Sequence, residues 1–350
     1  MEDLEQIILR QLRARPAARL RDMIKLIYQN EFAGGHLIAD RGAAAERLRR
    51  ELDETAPNRT LPLYEDIGNG LARLNLAALK AKGSRISPET VSGMFAETAR
   101  AHRGSVESLE RKLGLLKTMC DSGASGFGDI TAELASYKAE GYPACSHSPE
   151  YRAAYSPAYR VIDVRLCENF ELFERIDGCV ADKGGCVIAI DGGSGTGKSS
   201  LAALAQGVYG EESCNLFHTD DFFLQKNQRT PERLAEPGGN VDYERLESEV
   251  LRGIASGKPF CYRRFDCSTM SLGDLTEVKP KKISIVEGVY SLHPALQKYY
   301  DAQYILSAPY ETRLERIRRR NGERMLERFV REWIPLEDRY FEALSANKAP

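Results

Sequence analysis

Hydrophobic and polar positions follow different patterns in the two parts of the chain. Before residue 175, apolar residues recur mainly at helical spacing; one such stripe comprises Leu109, Leu113, Leu116 and Cys120. Ser87 followed by Pro88 is typical of a helix start, because serine caps the first turn and proline fits the first helical position. The pattern predicts a mainly α-helical domain over residues 1–175.

After residue 180, short apolar runs alternate with helical patterns. The expected helices are 198–209 and 242–255, and the expected strands are 186–191, 214–218, 258–262, 282–287 and 303–307. Apolar strands separated by helices are typical of a parallel sheet that is covered on both faces. We therefore expect a three-layer α/β/α domain over residues 180–350, with its site at the carboxyl ends of the strands.

A glycine-rich segment follows the first of these strands. The apolar run 187–190 leads into Gly192-x-x-x-x-Gly197-Lys198-Ser199, and a helical pattern comes next. In this context the segment is the Walker A pattern of a P-loop NTPase, whose backbone N–H groups surround a polyphosphate. The expected nucleotide-binding residues are Gly192, Gly193, Ser194, Gly195, Thr196, Gly197, Lys198, Ser199 and Ser200. Lys198 should reach the β- and γ-phosphates and Ser199 should bind Mg²⁺; a plain glycine-rich turn is the alternative.

Acidic residues stand at the ends of two further strands. Asp220 and Asp221 follow the second strand, where a carboxylate can take a proton from a substrate hydroxyl or hold Mg²⁺ through water. An Asx turn or a helix cap is the alternative. Glu287 ends the strand 282–287 and is expected to face the metal, although a solvated glutamate is also a reading of this position.

Arginines recur at three- or four-residue spacing near the end of the chain, at Arg313, Arg316, Arg320 and Arg324. If these residues are helical, they can fold over ATP and neutralise charge on the transferred phosphoryl group. An ordinary solvated basic face is the alternative. The pair Asn321-Gly322 is expected to interrupt the helix before Arg324.

Together these segments resemble the uridine kinase/phosphoribulokinase family of P-loop small-molecule kinases. The resemblance rests on four segments, namely 192–200, 219–223, 286–289 and 312–337. It implies ATP-dependent phosphorylation of a hydroxyl group on a small molecule, with ATP and Mg²⁺ as cofactors. By position, the resemblance implies that Asp220 is the catalytic base, that Lys198 binds the phosphates and that Ser199 and Glu287 bind the metal.

The resemblance also implies residues around ATP and the acceptor. Arg316 and Arg320 correspond to lid residues over ATP, and Asp242 and Tyr262 to residues that face the substrate. The segment 262–268 lacks the histidine that uridine kinases carry after it, which argues against uridine as the acceptor. Because guanidinium groups pair well with planar oxyanions, Arg263 and Arg264 favour an anionic acceptor; surface charge at a strand end is the alternative.

Composition and charge exclude several other classes of protein. The 350 residues carry a formal net charge of −2, so overall charge gives no reason to expect nucleic acid or membrane binding. No apolar stretch has the roughly 18–20 residues of a membrane span, and the charged N-terminus does not resemble a secretory signal. We expect a cytoplasmic protein, and the sequence leaves a homo-oligomer open.

The cysteines indicate neither disulfides nor zinc. None of the eight forms a C-x-x-C pair, so we expect them to be reduced and mostly buried; they are Cys120, Cys145, Cys167, Cys179, Cys186, Cys214, Cys261 and Cys267.

Two other functions compete with the kinase. The runner-up is a nucleotide-gated regulatory or binding protein, with ATPase activity at most and the helical part as its sensor or partner surface. A GTPase is disfavoured because no Asn-Lys-x-Asp segment follows the phosphate loop.

Within residues 1–175, the segments 30–36, 64–71 and 147–160 combine glycine, tyrosine, arginine and histidine. They are typical of either a ligand pocket or ordinary caps and loop packing, and we favour the latter.

Overall fold

The structure is a computed structural model that describes residues 2–34 and 41–346. Gly35 and His36, from one of the segments singled out above, lie outside the described residues. The chain divides into two compact units, Met1–Glu174 and Arg175–Pro350.

Helices dominate the first unit, as the sequence predicted. They are α1 (Glu2–Ala14), α2 (Leu20–Phe32), α3 (Arg41–Glu54), α4 (Leu76–Lys82), α5 (Pro88–Ala101), α6 (Val106–Asp121), α7 (Thr131–Ala139), α8 (Pro149–Tyr155), α9 (Val164–Glu168) and the beginning of α10 (Phe170–Lys183). Ser87 caps α5 by accepting a hydrogen bond from the backbone N–H of Thr90. The apolar stripe of α6 is buried along its whole length, so it forms part of the core of this unit.

The first unit also contains a small antiparallel sheet that the sequence analysis missed. Strands β1 (Tyr64–Gly68), β2 (Leu71–Asn75) and β3 (Tyr159–Asp163) pair in the order β1-β2-β3. Every residue of β2 is buried, and α4 begins directly after it, so the apolar run continues without the alternation that marks a strand. The dipeptide Asn69-Gly70 joins β1 to β2, with φ values of 56° and 73°. This pair is a known hairpin signal and could have revealed the sheet.

A parallel four-stranded sheet forms the centre of the second unit. Its strands are β4 (Cys186–Asp191), β5 (Cys214–His218), β8 (Ile283–Glu287) and β9 (Ala302–Ile305), in the order β5-β8-β4-β9. In the register of the sheet, Glu287 lies beside Ile190 on one side and beside His218 on the other. Three strands therefore end close together at one edge.

Helices cover this sheet. Helix α11 (Lys198–Tyr209) contacts β4, β5 and β8. Ala189, Phe217 and Val286 pack in one cluster with Leu246 and with Tyr340 from the last helix. The remaining helices are α12 (Pro231–Ala235), α13 (Tyr243–Arg245), α14 (Arg252–Ser256), α15 (Tyr310–Asn321), α16 (Glu323–Arg328) and α17 (Ile334–Ala346). A π-helical turn over 246–251 joins α13 to α14. The predicted α/β P-loop fold, preceded by a mainly helical region, is confirmed.

One predicted strand lies outside the parallel sheet. β6 (Phe260–Asp266) pairs with β7 (Ser271–Val278) in a separate antiparallel hairpin. The predicted strand 258–262 ended too early because Arg263 and Arg264 interrupt its apolar pattern. β7 was not predicted because it has no buried residue. A strand that is mostly exposed carries too little hydrophobic alternation to recognise.

Two further features concern membranes and cysteines. No helix in the described ranges is both long enough and apolar enough to cross a membrane. All eight cysteines lie in these ranges and none is paired in a disulfide. Four are buried and two are half-buried, whereas Cys261 and Cys267 on the hairpin are exposed.

Candidate active site

The glycine-rich segment joins the end of β4 to the start of α11. Gly192 has a φ of 149°, and a Cβ atom there would lie 2.2 Å from the carbonyl oxygen of Leu306. That oxygen belongs to backbone that pairs with Asp191, so it has little freedom to move. Gly197 immediately precedes α11, with a φ of 103°. The loop therefore needs glycine at its entry and at its exit, and it presents the N-terminus of α11 to a ligand.

Lys198 is buried inside this loop. Its Nζ atom donates a hydrogen bond to the carbonyl oxygen of Gly193 at 3.0 Å. Burial lowers the pKa of Lys198, and the negative charges of Asp191, Glu287, Glu337 and Asp220 oppose that shift. A lysine surrounded by acids in the middle of a phosphate loop is well placed to balance the charge of a polyphosphate.

Asp220 and Glu287 lie at the ends of adjacent strands. Asp220 stands in a 3-10 turn, Thr219–Phe222, directly after β5. Its side chain reaches solvent, yet partial desolvation and the negative charge of Glu287 raise its pKa. Glu287 is buried, and its Oε1 atom lies 2.5 Å from Nδ1 of His218. The two carboxylates are therefore close enough to influence one another, as the sequence analysis expected of strand ends at this edge.

The other carboxylate oxygen of Glu287 bears on a metal site. Oε2 is buried and has no hydrogen-bond partner, and Ser199 is exposed in the first turn of α11. No group of three or more histidine, cysteine or acidic residues in the described ranges could hold a metal alone. Mg²⁺ in proteins usually needs only one or two carboxylates, with phosphate oxygens and water completing its shell. Glu287 and Ser199 fit such an ion.

Asp191, at the end of β4, connects three parts of the site and was missed in the sequence. Its carboxylate accepts hydrogen bonds from the backbone N–H groups of Gly192, Tyr290 and Leu292 and from the hydroxyl of Tyr340. Burial raises its pKa to about 6, while the bonds from Tyr340 and the backbone limit that rise. This residue fixes the start of the phosphate loop to the turn after β8 and to α17.

Glu337 of α17 also holds the loop and was not recognised as a site residue. Its Oε2 atom accepts hydrogen bonds from the backbone N–H of Ser194 at 2.8 Å and from Nη2 of Arg313 at 3.0 Å. Arg313 in turn donates from Nε to the carbonyl oxygen of Ser194 at 2.9 Å. An ion pair from two C-terminal helices thus fixes the outer part of the loop.

The regularly spaced arginines near the end of the chain lie in different environments. Nη1 of Arg316 donates to the carbonyl oxygens of Gly195 and Thr196 at 3.2 and 2.9 Å. Arg320 lies near enough to Asp220 for its positive charge to oppose the rise in the pKa of that carboxyl. α15 ends at Asn321, as expected, and Arg324 belongs to α16. Arg316 therefore contacts the phosphate loop and Arg320 lies within electrostatic reach of Asp220, whereas Arg324 is on a separate helix.

Known proteins resemble this chain over part of its length. No family model matches the chain. A uridine kinase from Clostridium perfringens (strain SM101 / Type A) is 30% identical over 139 residues, which cover 37% of this chain and 64% of that protein. The uridine kinase of C. perfringens strain ATCC 13124 is 29% identical over the same coverage. The chain is uridine kinase-like in part, and the motifs that carry the resemblance lie in the second unit. The resemblance predicted from the motifs is confirmed.

These relatives are matched over less than two thirds of their length. The chain spans 64% of the curated uridine kinases that it matches. Among solved structures, a protein described as a possible uridine kinase from Bacillus stearothermophilus aligns with 22% identity and a TM-score of 0.37, covering 49% of this chain and 92% of that one. The resemblance therefore rests on the sequence relatives.

Asp242, which the resemblance makes a residue that faces the substrate, has a structural role in the second unit. It is buried and caps α13, with Oδ1 accepting a hydrogen bond from the backbone N–H of Arg245 at 3.0 Å. Its Oδ2 accepts another from Nε2 of Gln228 at 2.9 Å. Both oxygens are engaged by protein groups, so a contact with substrate would have to compete with these bonds.

Tyr262, Arg263 and Arg264 lie on β6 but differ in their surroundings. Tyr262 is buried and stacks on Phe222 with ring centroids 5.8 Å apart. Arg264 donates from Nε to the hydroxyl of Tyr262 at 3.2 Å and lies 3.5 Å from Oδ2 of Asp221. Arg263 forms hydrogen bonds through its backbone, to Glu249 and Arg245, at a bulge in the hairpin. Of the two arginines, Arg264 is the one whose side chain lies beside Asp221, the residue after Asp220.

Proposed function

We propose that the uridine kinase-like unit transfers a phosphoryl group from ATP to a hydroxyl of a small molecule. The observation that carries this proposal is the convergence of Lys198, Asp220 and Glu287 at the phosphate loop. A loop of this kind alone indicates only a nucleotide. The carboxylates at the neighbouring strand ends supply what phosphoryl transfer to an alcohol needs in addition, namely a base and a metal ligand.

Asp220 is the proposed base. Its side chain is exposed, which allows an acceptor hydroxyl to approach it. The raised pKa of Asp220 makes its carboxylate a stronger proton acceptor than an ordinary aspartate. In this role it takes the proton of the acceptor hydroxyl as that oxygen bonds to the γ-phosphorus, and ADP leaves with the bonding electrons.

The positive charges of the site balance the phosphates. Lys198 would hold the β- and γ-phosphate oxygens. Arg316 of α15 contacts the loop, and Arg320 of the same helix is within electrostatic reach of Asp220. The residues that would hold Mg²⁺ are Ser199, through its hydroxyl, and Glu287, through Oε2. When bound, Mg²⁺ neutralises charge on the phosphates during transfer.

We propose an anionic acceptor, held by Arg264. This guanidinium lies beside the hydroxyl of Tyr262. It also lies beside Asp221, which directly follows the proposed base in the chain. Arg264 is also exposed, so it can contact a ligand without losing its place on the strand. A carboxylate or phosphate on the acceptor would pair with it and bring a hydroxyl toward Asp220.

The proposal is tested by replacing Asp220 with asparagine. With Mg-ATP and a panel of nucleosides, sugars and hydroxy acids, formation of ADP and of phosphorylated product is followed by mass spectrometry. We expect Asp220→Asn to lower kcat by about 10²–10⁴-fold while the Kd of ATP stays near that of the unmodified protein. Asp274→Asn, at an exposed position of β7, is the matched control and should retain activity. Full turnover in Asp220→Asn would contradict its assignment as the base.

Adjacent arginines allow a matched test of the acceptor. We expect Arg264→Ala to raise KM for an anionic acceptor by about tenfold or more, and Arg263→Ala to change it little. Equal turnover of uridine and anionic acceptors, unaffected by either variant, would refute an anionic acceptor. If ADP forms with no phosphorylated product from any compound, the unit is instead a nucleotide-dependent regulatory protein.

A further inference from the structure

The first unit contains a cavity that the proposed kinase chemistry does not use. Its volume is about 620 Å³, and it lies among α1, the β1–β2 hairpin and the segment from α8 to β3. Cavities of about 300–1,000 Å³ are typical of small-molecule sites. Two of the segments singled out in the sequence, 64–71 and 147–160, contribute to its lining, although they are far apart in the chain.

A buried arginine forms part of the cavity wall. Arg73 of β2 has only 3% of its surface exposed. Its Nε and Nη2 atoms both donate to Oε1 of Gln29, at 3.1 and 2.7 Å, and its guanidinium lies 4.7 Å above the ring of Tyr159. These contacts hold the guanidinium rigidly in one orientation. One face of it lies over Tyr159, and the edge that carries Nε and Nη2 is bonded to Gln29.

No carboxylate in the described ranges lies within 4 Å of the Arg73 guanidinium, and Nη1 has no hydrogen-bond acceptor there. Gln29 is neutral, so it satisfies donors without balancing the charge. A buried cation without a counter-charge is costly and is rarely retained unless something pairs with it. Arg73 therefore presents an uncompensated positive charge and a free N–H edge at the cavity.

The other charges at the cavity do not supply that counter-charge. Arg15 forms an ion pair with Glu65. The Oδ1 atom of Asp66 accepts a hydrogen bond from the backbone N–H of Gly68 at 2.7 Å, and Arg10 donates to the backbone oxygen of Asp66. Three arginines thus face two acids around the cavity, an excess of one positive charge, and Arg73 is the buried one among them.

Tyrosines supply much of the remaining wall; they are Tyr64, Tyr151, Tyr155 and Tyr159. Several are fixed by their own contacts. The hydroxyl of Tyr155 accepts a hydrogen bond from the backbone N–H of Ala17, and the ring of Tyr151 stacks on His147 at 4.1 Å. Rigid aromatic walls around a fixed guanidinium suit a planar ring that carries an oxyanion.

We propose that this cavity binds a small organic anion, a phosphate or a carboxylate attached to a planar ring, with the oxyanion on Arg73 and the ring among the tyrosines. The site is separate from the phosphate loop and does not depend on the proposed kinase activity. It assigns a ligand-binding role to the mainly helical unit, for which caps and packing were the favoured sequence interpretation.

The test is calorimetric titration of the full chain carrying Lys198→Ala, so that the phosphate loop contributes little to anion binding. The probes are phenyl phosphate and benzoate, with benzyl alcohol as the neutral comparison. Ala154 lines the cavity from α8 and is exposed, so Ala154→Trp fills the cavity without disturbing the core. Ala153 is its exposed neighbour on the same helix and does not line the cavity, which makes Ala153→Trp the matched control.

We expect at least one of the two anions to bind, and its identity distinguishes a phosphate site from a carboxylate site. Ala154→Trp should raise its Kd by about tenfold or more and Ala153→Trp should leave it unchanged. Arg73→Lys keeps the charge but loses the planar fork, so it should also weaken binding by about tenfold. If Arg73→Lys fails to fold, the alanine pair still decides the question.

Three results would overturn the proposal. They are the absence of saturable binding of both anions at about 10 mM, benzyl alcohol binding as tightly as either anion, and equal affinities in Ala154→Trp and Ala153→Trp. Because every titration is made without a working phosphate loop, loss of kinase activity cannot be mistaken for any of them.

Discussion

The Nδ1 atom of His218 lies 2.5 Å from Oε1 of Glu287, and these two residues are direct register partners on β5 and β8. The pairing of the parallel sheet therefore brings the imidazole to the carboxylate. Oε1 is used by His218, which leaves the buried Oε2 free for another ligand. If Glu287 holds the metal as proposed, His218 would orient its carboxylate, as second partners of metal-binding carboxylates commonly do.

We expect His218 to titrate above the ordinary histidine value. The hydrogen bond to Glu287 raises the pKa of His218, because the imidazolium gains a negative partner, while partial burial opposes the rise. NMR titration of the His218 ring protons should show an elevated pKa that Glu287→Gln lowers. Because the folded pKa is raised, this pair stabilises the fold fully below about pH 6.5 and loses its contribution as pH rises through the folded pKa. An unchanged pKa in Glu287→Gln would show that the pair is not formed.

Gly192→Ala should damage both the fold and the nucleotide site. Its Cβ would overlap the Leu306 carbonyl oxygen, which the sheet holds in place. We expect a loss of about 3 kcal/mol or more in the free energy of unfolding, measured in urea. Gly257→Ala is the control, since its φ of +65° is also unfavourable but no atom lies within 4 Å of the added carbon. That variant should lose only about 1 kcal/mol. Similar losses in the two variants would refute the steric argument.

Glu337→Gln in α17 should loosen the phosphate loop, although the two segments are far apart in the chain. The charge-assisted bonds to the backbone N–H of Ser194 and to Arg313 would be weakened, and Arg313 would lose its counter-charge. We expect the free energy of unfolding to fall by about 1–3 kcal/mol and the Kd of ATP to rise. Glu342→Gln, at an exposed position of the same helix, should change neither quantity. An unchanged Glu337→Gln protein would contradict a role for this ion pair.

Acid should destabilise the first unit through His147. Burial lowers the pKa of His147 to about 4, although Asp22 opposes the shift, so the neutral ring bridges Asp22 and the hydroxyl of Tyr159. Because the folded pKa is depressed, this stability is present above about pH 6.5 and is lost as pH falls toward 4, by about 3 kcal/mol in total. His147→Gln should flatten the dependence of urea unfolding on pH over that window. A dependence equal to that of the unmodified protein would assign acid lability to other groups.

The sequence was most informative where chemistry is local. The phosphate loop occupies consecutive positions, so its glycines, Lys198 and Ser199 were recognisable without any tertiary structure. Asp220 and Glu287 were predicted to meet because parallel strands end at one edge of a sheet. Their roles in base catalysis and metal binding stay predictions that the variants above test.

Partners that are distant in the chain could not be predicted. Glu337 reaches Ser194 across 143 positions and Tyr340 reaches Asp191 across 149. No local pattern encodes such pairs. Arg73 illustrates another limit, because an arginine in an apolar run reads as an interruption, whereas here it is buried against Gln29. The Asn69-Gly70 turn, by contrast, is a local signal that predicts the β1–β2 hairpin.

The bond between Glu337 and Ser194 also makes the docking of α17 and occupation of the phosphate loop reciprocal. Any preference of ATP for the docked form of α17 must be matched by an equal tightening of that helix when ATP is bound. If ATP favours the docked form, hydrogen exchange at the amides of α17 should slow on nucleotide addition, and a helix 143 positions further along the chain would report occupation of the loop.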